Sequence, residues 1–193
     1  MNGAPDGLLG LPLAELLAEV GARTTAPGGG AVTGVAASLA GALGAMAARF
    51  AEGGAGSADR SLALQERAMA LAERDLVVYA AYVRVRRAGS GPDELAAALD
   101  AATQVPLELA EVAAEIAELA GELVAGGNPR LRGDAAAAVL MAAAAARSAA
   151  VLVCENLGDA GDVRLVHAAG LVARVDAAER TVLAGYPALA PPR

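Results

Sequence analysis

The chain has 193 residues, 56% of them hydrophobic, with a formal charge of −7 and an isoelectric point near 4.7. All 15 basic residues are Arg and acids outnumber them, which argues against a general nucleic-acid binder, since that needs a basic face. One cysteine (Cys154) excludes an intramolecular disulfide framework and a Cys-cluster metal site, and one histidine (His167) argues against a His-rich zinc site or a His-based triad.

The length suits a single domain, 1–193, with a real core. Its apolar content is Ala, Leu and Val, with one Phe, three Tyr and no Trp, so such a core is made by close helix approach. No basic n-region with an apolar stretch and cleavage site opens the chain, which predicts a cytoplasmic protein. Residues 24–48 are uncharged and long enough to span a bilayer, but Leu, Ile and Phe are sparse there. That window is read as a buried helix of a soluble protein, with no membrane partner.

Residues 1–10 are expected to be loose, and Leu11 to Ala22 reads as a first short helix with Leu13, Leu16, Leu17 and Val20 on one face. Next comes Arg23-Thr-Thr-Ala-Pro-Gly-Gly-Gly30. Pro27 fixes its own φ, and Gly28, Gly29 and Gly30 permit backbone angles that other residues rarely take. Free N–H groups at such a helix start can point at an anion or a carbonyl; a plain tight turn is the simpler reading of the glycines. No Gly-Lys-Ser/Thr follows and no strand precedes, so the run is neither a P-loop nor a dinucleotide fingerprint. The second helix, Ala31 to about Phe50, carries a large stripe (Val32, Val35, Leu39, Leu43, Met46) and a small one (Gly34, Ser38, Gly41, Ala45, Ala48). The small stripe allows a neighbouring helix close. Glu52 to Ser57 reads as a floppy Gly-rich loop.

A third helix, about Ala58 to Ala88, places Asp75 inside an apolar face of Leu64, Ala68, Leu71, Val78, Tyr82 and Val85. An unpaired buried carboxylate is costly, so this face meets a structural ion-pair or hydrogen-bond partner, or else opens onto a cavity. After the turn Gly89–Asp93, a fourth helix ends near Thr103 and Pro106 starts a fifth. The fifth has a heptad-like seam of Leu109, Val112, Ile116, Leu119 and Leu123. Beside it run Glu108, Glu111, Glu115, Glu118 and Glu122. This acidic stripe reads as a solvated outer face or, less simply, as a contact for a partner's arginines. Gly126-Gly-Asn-Pro129 ends that helix. Asp134 stands at the N-cap position of a sixth helix, about 135–156, where a carboxylate would hold free amides. Asn156, Asp159 and Asp162 mark the turn into a seventh helix, about Val163 to Leu183, which carries His167; a Pro-rich tail follows. No strand pattern occurs, so the fold class is all-α, an up-and-down bundle of about seven helices.

The order of these pieces resembles the cyclodeaminase/cyclohydrolase family: the folate cyclodeaminase half of formiminotransferase-cyclodeaminase and the bacterial methenyltetrahydrofolate cyclohydrolases. The resemblance rests on the Leu-Leu-Ala-Glu-Val helix, Arg23 to Gly30, Asp75 with Tyr79, Ala102-Thr103 with Val105-Pro106-Leu107, Gly127-Asn128, Gly133-Asp134, and Asn156-Leu157 to Asp162. It implies a helical homodimer with a ligand groove partly shaped at the subunit contact. It implies a tetrahydrofolate derivative as substrate, with no metal. The expected reaction is hydrolysis of methenyltetrahydrofolate, placed first for a chain without a transferase domain, or cyclisation of formiminotetrahydrofolate with release of ammonia. By the same resemblance Asp134 and Asp75 are the catalytic candidates, with Asp134 favoured and its capping role still open. Pro27, Gly28, Gly29, Gly30, Tyr79, Asn128, Asn156 and Asp162 are the substrate-binding candidates. Arg86 and Arg87 are placed nearest the family's basic position for an anionic folate tail, with Arg49, Arg60, Arg130 and Arg132 as other candidates. The chain departs from the family pattern at 52–58, at 85–88 and at Leu152, which stands where the pattern has Asn. Those departures motivate two alternatives: a non-catalytic binding or assembly subunit, and a relative turned to another cyclic amidine or imine.

Overall fold

The computed structural model describes residues 7–158 and 161–189. Among them are six α-helices and no strand: α1 (Leu13–Gly21), α2 (Gly29–Arg49), α3 (Ala55–Ala88), α4 (Pro92–Gly126), α5 (Arg132–Leu157) and α6 (Val163–Ala184). Helix α4 is central, packing on α2, α3, α5 and α6. Its heptad seam is buried as the spacing requires, with Leu109 and Val112 at 0% exposure and Ile116 at 2%. Alanines of α5, including Ala142, Ala146 and Ala149, fill the facing surface at 0% exposure. The core therefore gains its density from thin helices held close, as the shortage of aromatics demands.

Six helices replace the expected seven because the fourth and fifth are one. Pro106 lies inside α4. A proline there has no N–H for the carbonyl four residues back, and the Ala102 carbonyl accepts from the Asn156 side chain at 3.3 Å instead. Fully buried Thr103 donates its hydroxyl to the Leu99 carbonyl at 2.7 Å, a second local bond that keeps the turn helical. Other boundaries also shift. Helix α3 begins at Ala55, so the expected floppy loop shrinks to a short turn through Gly53, whose φ of 67° suits glycine. Residues 8–10 form a 3-10 turn, with Leu8 buried against Met69 and Ala72, and are not loose. Another 3-10 turn covers Pro187–Leu189. The expected loose segments 1–6 and 190–193, and Asp159, lie outside the described residues.

The small stripe of α2 behaves as its composition suggests. Gly34, Ser38, Gly41, Ala45 and Ala48 are all buried. A Cβ on Gly34 would stand 2.7 Å from the Ala72 Cβ and 3.0 Å from the Ala68 carbonyl oxygen of α3. Gly34→Ala should therefore destabilise the fold by about 1–3 kcal/mol through overpacking. Gly44→Ala is the control. Its Cβ would meet nothing closer than the Ser61 Oγ at 3.6 Å, so helix propensity should leave stability unchanged or raise it by up to about 1 kcal/mol. Thermal melts of the two variants check the pair, and equal midpoints would mean that α2 and α3 can separate freely.

The large stripe of α2 is split: Val32 is 40% exposed and Leu39 57%, while Val35 and Leu43 pack partly buried against the core. By length and composition α2 and the segment Pro129–Leu157 could each cross a bilayer, yet 61% and 50% of their apolar windows are buried inside the fold. The acidic stripe of α4 is no bare solvated face. Arg60, Arg67 and Arg74 of α3 pair with Glu115, Glu111 and Glu108, and Arg174 of α6 pairs with Glu118. His167 meets Glu111 at 2.9 Å. The arginines stand seven residues apart, on one face of α3, and meet the glutamates in reverse order because α3 and α4 run antiparallel. Exposed pairs of this kind add little each, but they relieve the repulsion along the glutamate row.

Candidate active site at the start of α2

The glycine run enters α2 without unusual backbone angles. Gly28 is extended (φ −109°, ψ −164°), and Gly29 and Gly30 begin the helix. None of the three has a positive φ. What they provide is space. A Cβ on Gly30 would overlap the Asp75 carboxylate, and one on Gly29 would touch the Leu152 side chain at 3.5 Å. The Asp75 carboxylate thus sits against the first turn of α2 and accepts the Ala31 N–H. A carboxylate at a helix N-terminus also meets the favourable end of the helix dipole. No ion pair to Asp75 exists among the described residues. The alternative left open in the sequence resolves to a hydrogen bond at a cavity wall.

That cavity encloses about 160 Å³. Gly28, Gly29, Gly30 and Thr25 form one side, Asp75 and Tyr79 of α3 another. Ala102 and Pro106 of α4 with Leu152 and Asn156 of α5 complete it. Among the described residues that line it, Asp75 is the sole charged group. Burial pushes the Asp75 carboxyl above the ordinary carboxylate range, and the Ala31 N–H offsets this only in part. A carboxyl tuned upward in a cleft is suited to exchanging protons near neutral pH. Tyr79 is 40% exposed at the mouth, and its ring centroid is 6.2 Å from that of Tyr82.

The remaining predicted residues lie elsewhere. Asp134 is a half-buried residue in the first turn of α5, not its N-cap. The 3-10 turn Pro129–Leu131 runs straight into the helix, leaving Leu131 at the cap with no side-chain bond. Asp134 precedes Leu152 by 18 residues, about 27 Å of helix, so one chain does not bring it to the cavity. Pro27 lines a separate shallow pocket with Leu8, Leu11 and Leu76. Asn128 shapes its own turn, accepting the Arg130 N–H at 3.0 Å and donating to the Phe50 carbonyl at 3.1 Å. Asp162 caps α6 by accepting the Arg164 N–H at 2.8 Å. The Arg164 guanidinium beside it lowers its pKa from the usual value. Arg86 and Arg87 lie exposed in the last turn of α3, outside the cavity. Arg60, a further tail candidate, is occupied by Glu115 at 3.4 Å.

Thr25, Ala102, Pro106 and Leu152 line the cavity without having been singled out as site residues. Thr25, Ala102 and Pro106 stand inside motifs quoted above, and Leu152 is one of the departures from the family pattern, which are the signals the sequence offers. Among the described residues no group of three His, Cys, Asp or Glu side chains could hold a metal.

Comparison with known proteins follows the same lines. The crystal structure of formiminotetrahydrofolate cyclodeaminase from Thermotoga maritima superposes with a TM-score of 0.83 at 25% identity, covering 93% of this chain and 97% of that one. No curated protein sequence matches. A family model described as formiminotransferase-cyclodeaminase matches residues 12–170, the span from α1 into α6 that carries every wall of the Asp75 cavity, and the chain therefore belongs to that family.

Proposed function

We propose that the chain is a formiminotetrahydrofolate cyclodeaminase working at the Asp75 cavity. One observation carries this reading: a carboxyl raised by burial, the single charged group among the described residues that line the cleft at a helix start. Ring closure needs a proton moved. As the second folate nitrogen attacks the formimino carbon, a C–N bond forms and that nitrogen loses its proton. The departing nitrogen gains a proton, its bond to carbon breaks, and ammonia leaves. A carboxyl that burial raises above its ordinary value can take the first proton and give the second. Ionised, it also offsets the positive charge that grows on the amidinium carbon. The similar Thermotoga maritima protein bears the name of this activity, which supports cyclisation ahead of hydrolysis.

Purified protein given formiminotetrahydrofolate should produce methenyltetrahydrofolate absorbance with one equivalent of ammonia. Folded protein that gives neither above buffer would overturn the proposal. Loss of added methenyltetrahydrofolate absorbance, without cyclisation, would move the assignment to the cyclohydrolase. Leu152, an apolar wall packed on Gly29, favours a second reading, a relative acting on a less polar cyclic amidine or imine. Turnover of such a compound together with inertness toward both folates would establish it.

Helix geometry supports a site for the folate tail. Arg86 follows Asp75 by 11 residues, which places it about 20° around α3 and about 17 Å further along. Tyr79 and Tyr82 lie between them on the same face. Arg86→Glu with Arg87→Glu should weaken a polyglutamylated folate at least about tenfold while changing a monoglutamate little, because added carboxylates need added cations. Equal losses for both ligands in a binding titration would remove the tail role. The exposed apolar residues Val32 and Leu39 of α2 and Val151 of α5 support self-association as a homodimer through that face. A monomeric mass by light scattering at micromolar concentration would exclude it.

A further inference from the structure

The carbonyl of Ala102 and the side chain of Asn156 meet at the cavity, and their bond has a covalent cause. Pro106 has no N–H, so the helical acceptor four residues before it would be left bare. Asn156, arriving from the last turns of α5, donates its Nδ2–H to that oxygen at 3.3 Å. All three residues line the cavity. A carbonyl only accepts, so the amide must turn its NH₂ toward Ala102, which fixes the position of Oδ1. Among the described residues no donor reaches that Oδ1.

We propose that Asn156 is a positioning residue whose amide replaces the N–H that Pro106 lacks, pinning the end of α5 to α4 and holding its own Oδ1 as an acceptor for a ligand N–H. The first half stands on the geometry alone; the second rests on the folate reading above. Breaking the clamp leaves the carbonyl of buried Ala102 unpaired and lets the cavity wall move.

A double-mutant cycle tests the clamp. Asn156→Leu should lower the melting midpoint by about 3 °C or more. In the Pro106→Ala background, where Ala at 106 supplies the missing N–H, the same change should cost less than half as much. Asn156→Asp gives an independent measurement that does not require altering Pro106. Its carboxylate would oppose one oxygen to another, whereas its protonated form can donate, so its midpoint deficit should shrink as pH falls. Equal losses in the two backgrounds, or a pH-independent deficit, would overturn the clamp. The acceptor role is read by calorimetry with 5-formyltetrahydrofolate. The double variant should bind it about tenfold more weakly than Pro106→Ala alone, the effect of one hydrogen bond. Undiminished affinity would overturn the acceptor role. A wild-type chain that does not bind 5-formyltetrahydrofolate would overturn the folate reading and the acceptor role together, while the midpoints still decide the clamp.

Discussion

Asp75→Asn should abolish most turnover, by about 100-fold or more, and leave the fold intact. Asn has the same shape and can still accept the Ala31 N–H, but it cannot move a proton or carry charge. The stability sign follows from the raised carboxyl pKa. A carboxyl that holds its proton more tightly in the folded state contributes stability fully present below its unfolded value, and this contribution is lost as pH rises through the folded value. Above the raised value that contribution is gone, and the buried charge then carries a desolvation cost that a neutral amide does not. The variant's melting midpoint should therefore match wild type within about 2 °C or exceed it, unlike the removal of a structural ion pair. Wild-type turnover should fall as pH drops through the raised value, since the ionised form takes the first proton. Full activity in Asp75→Asn would reject the assignment. Asp134→Asn separates the two carboxylates. With the cavity as one chain builds it, the loss should stay within about threefold. A loss equal to that of Asp75→Asn would mean that a second copy brings the start of α5 to the cavity.

Gly30→Ala should be nearly as damaging, although alanine is the better helix former by about 1 kcal/mol. The new methyl overlaps the Asp75 carboxylate, so the carboxylate must leave the Ala31 N–H or the start of α2 must shift. Activity should drop by about 100-fold and stability by about 1–3 kcal/mol. Gly29→Ala makes an ordinary contact with Leu152 at 3.5 Å and should leave stability near wild type. Removing the carboxylate in Gly30→Ala/Asp75→Ala relieves the overlap, so the midpoint should recover while turnover does not. A fully active Gly30→Ala would show that the carboxylate's place against α2 is unimportant.

Much of the fold was legible because apolar spacing alone sets it. The seam Leu109 to Leu123 and the small stripe of α2 are buried where their periods put them. What escaped depends on residues far apart in the chain. Pro106 reads locally as a helix start, whereas it lies inside α4, and the donor that meets the Ala102 carbonyl comes from Asn156, 50 residues later. The glycines at 28–30 suggest strained angles, whereas the reason for Gly30 is a carboxylate 45 residues on. Asp134 resembles a cap until Pro129–Leu131 is seen to coil into α5. The acidic row of α4 reads locally as a solvated face, because the arginines that meet it, Arg60, Arg67 and Arg74, stand on another helix.

The distribution of aromatic rings gives the molecule its own optical reporter. With no tryptophan in the chain, no indole drains energy from excited tyrosines. Of the three phenols, Tyr79 lines the mouth of the cavity and Tyr82 is its neighbour, while Tyr186 lies under the Arg132 guanidinium at 5.2 Å near the start of α5. Ultraviolet emission from the unlabelled protein therefore includes a phenol at the site itself, and an occupant of the cleft that meets Tyr79 should register without any added dye.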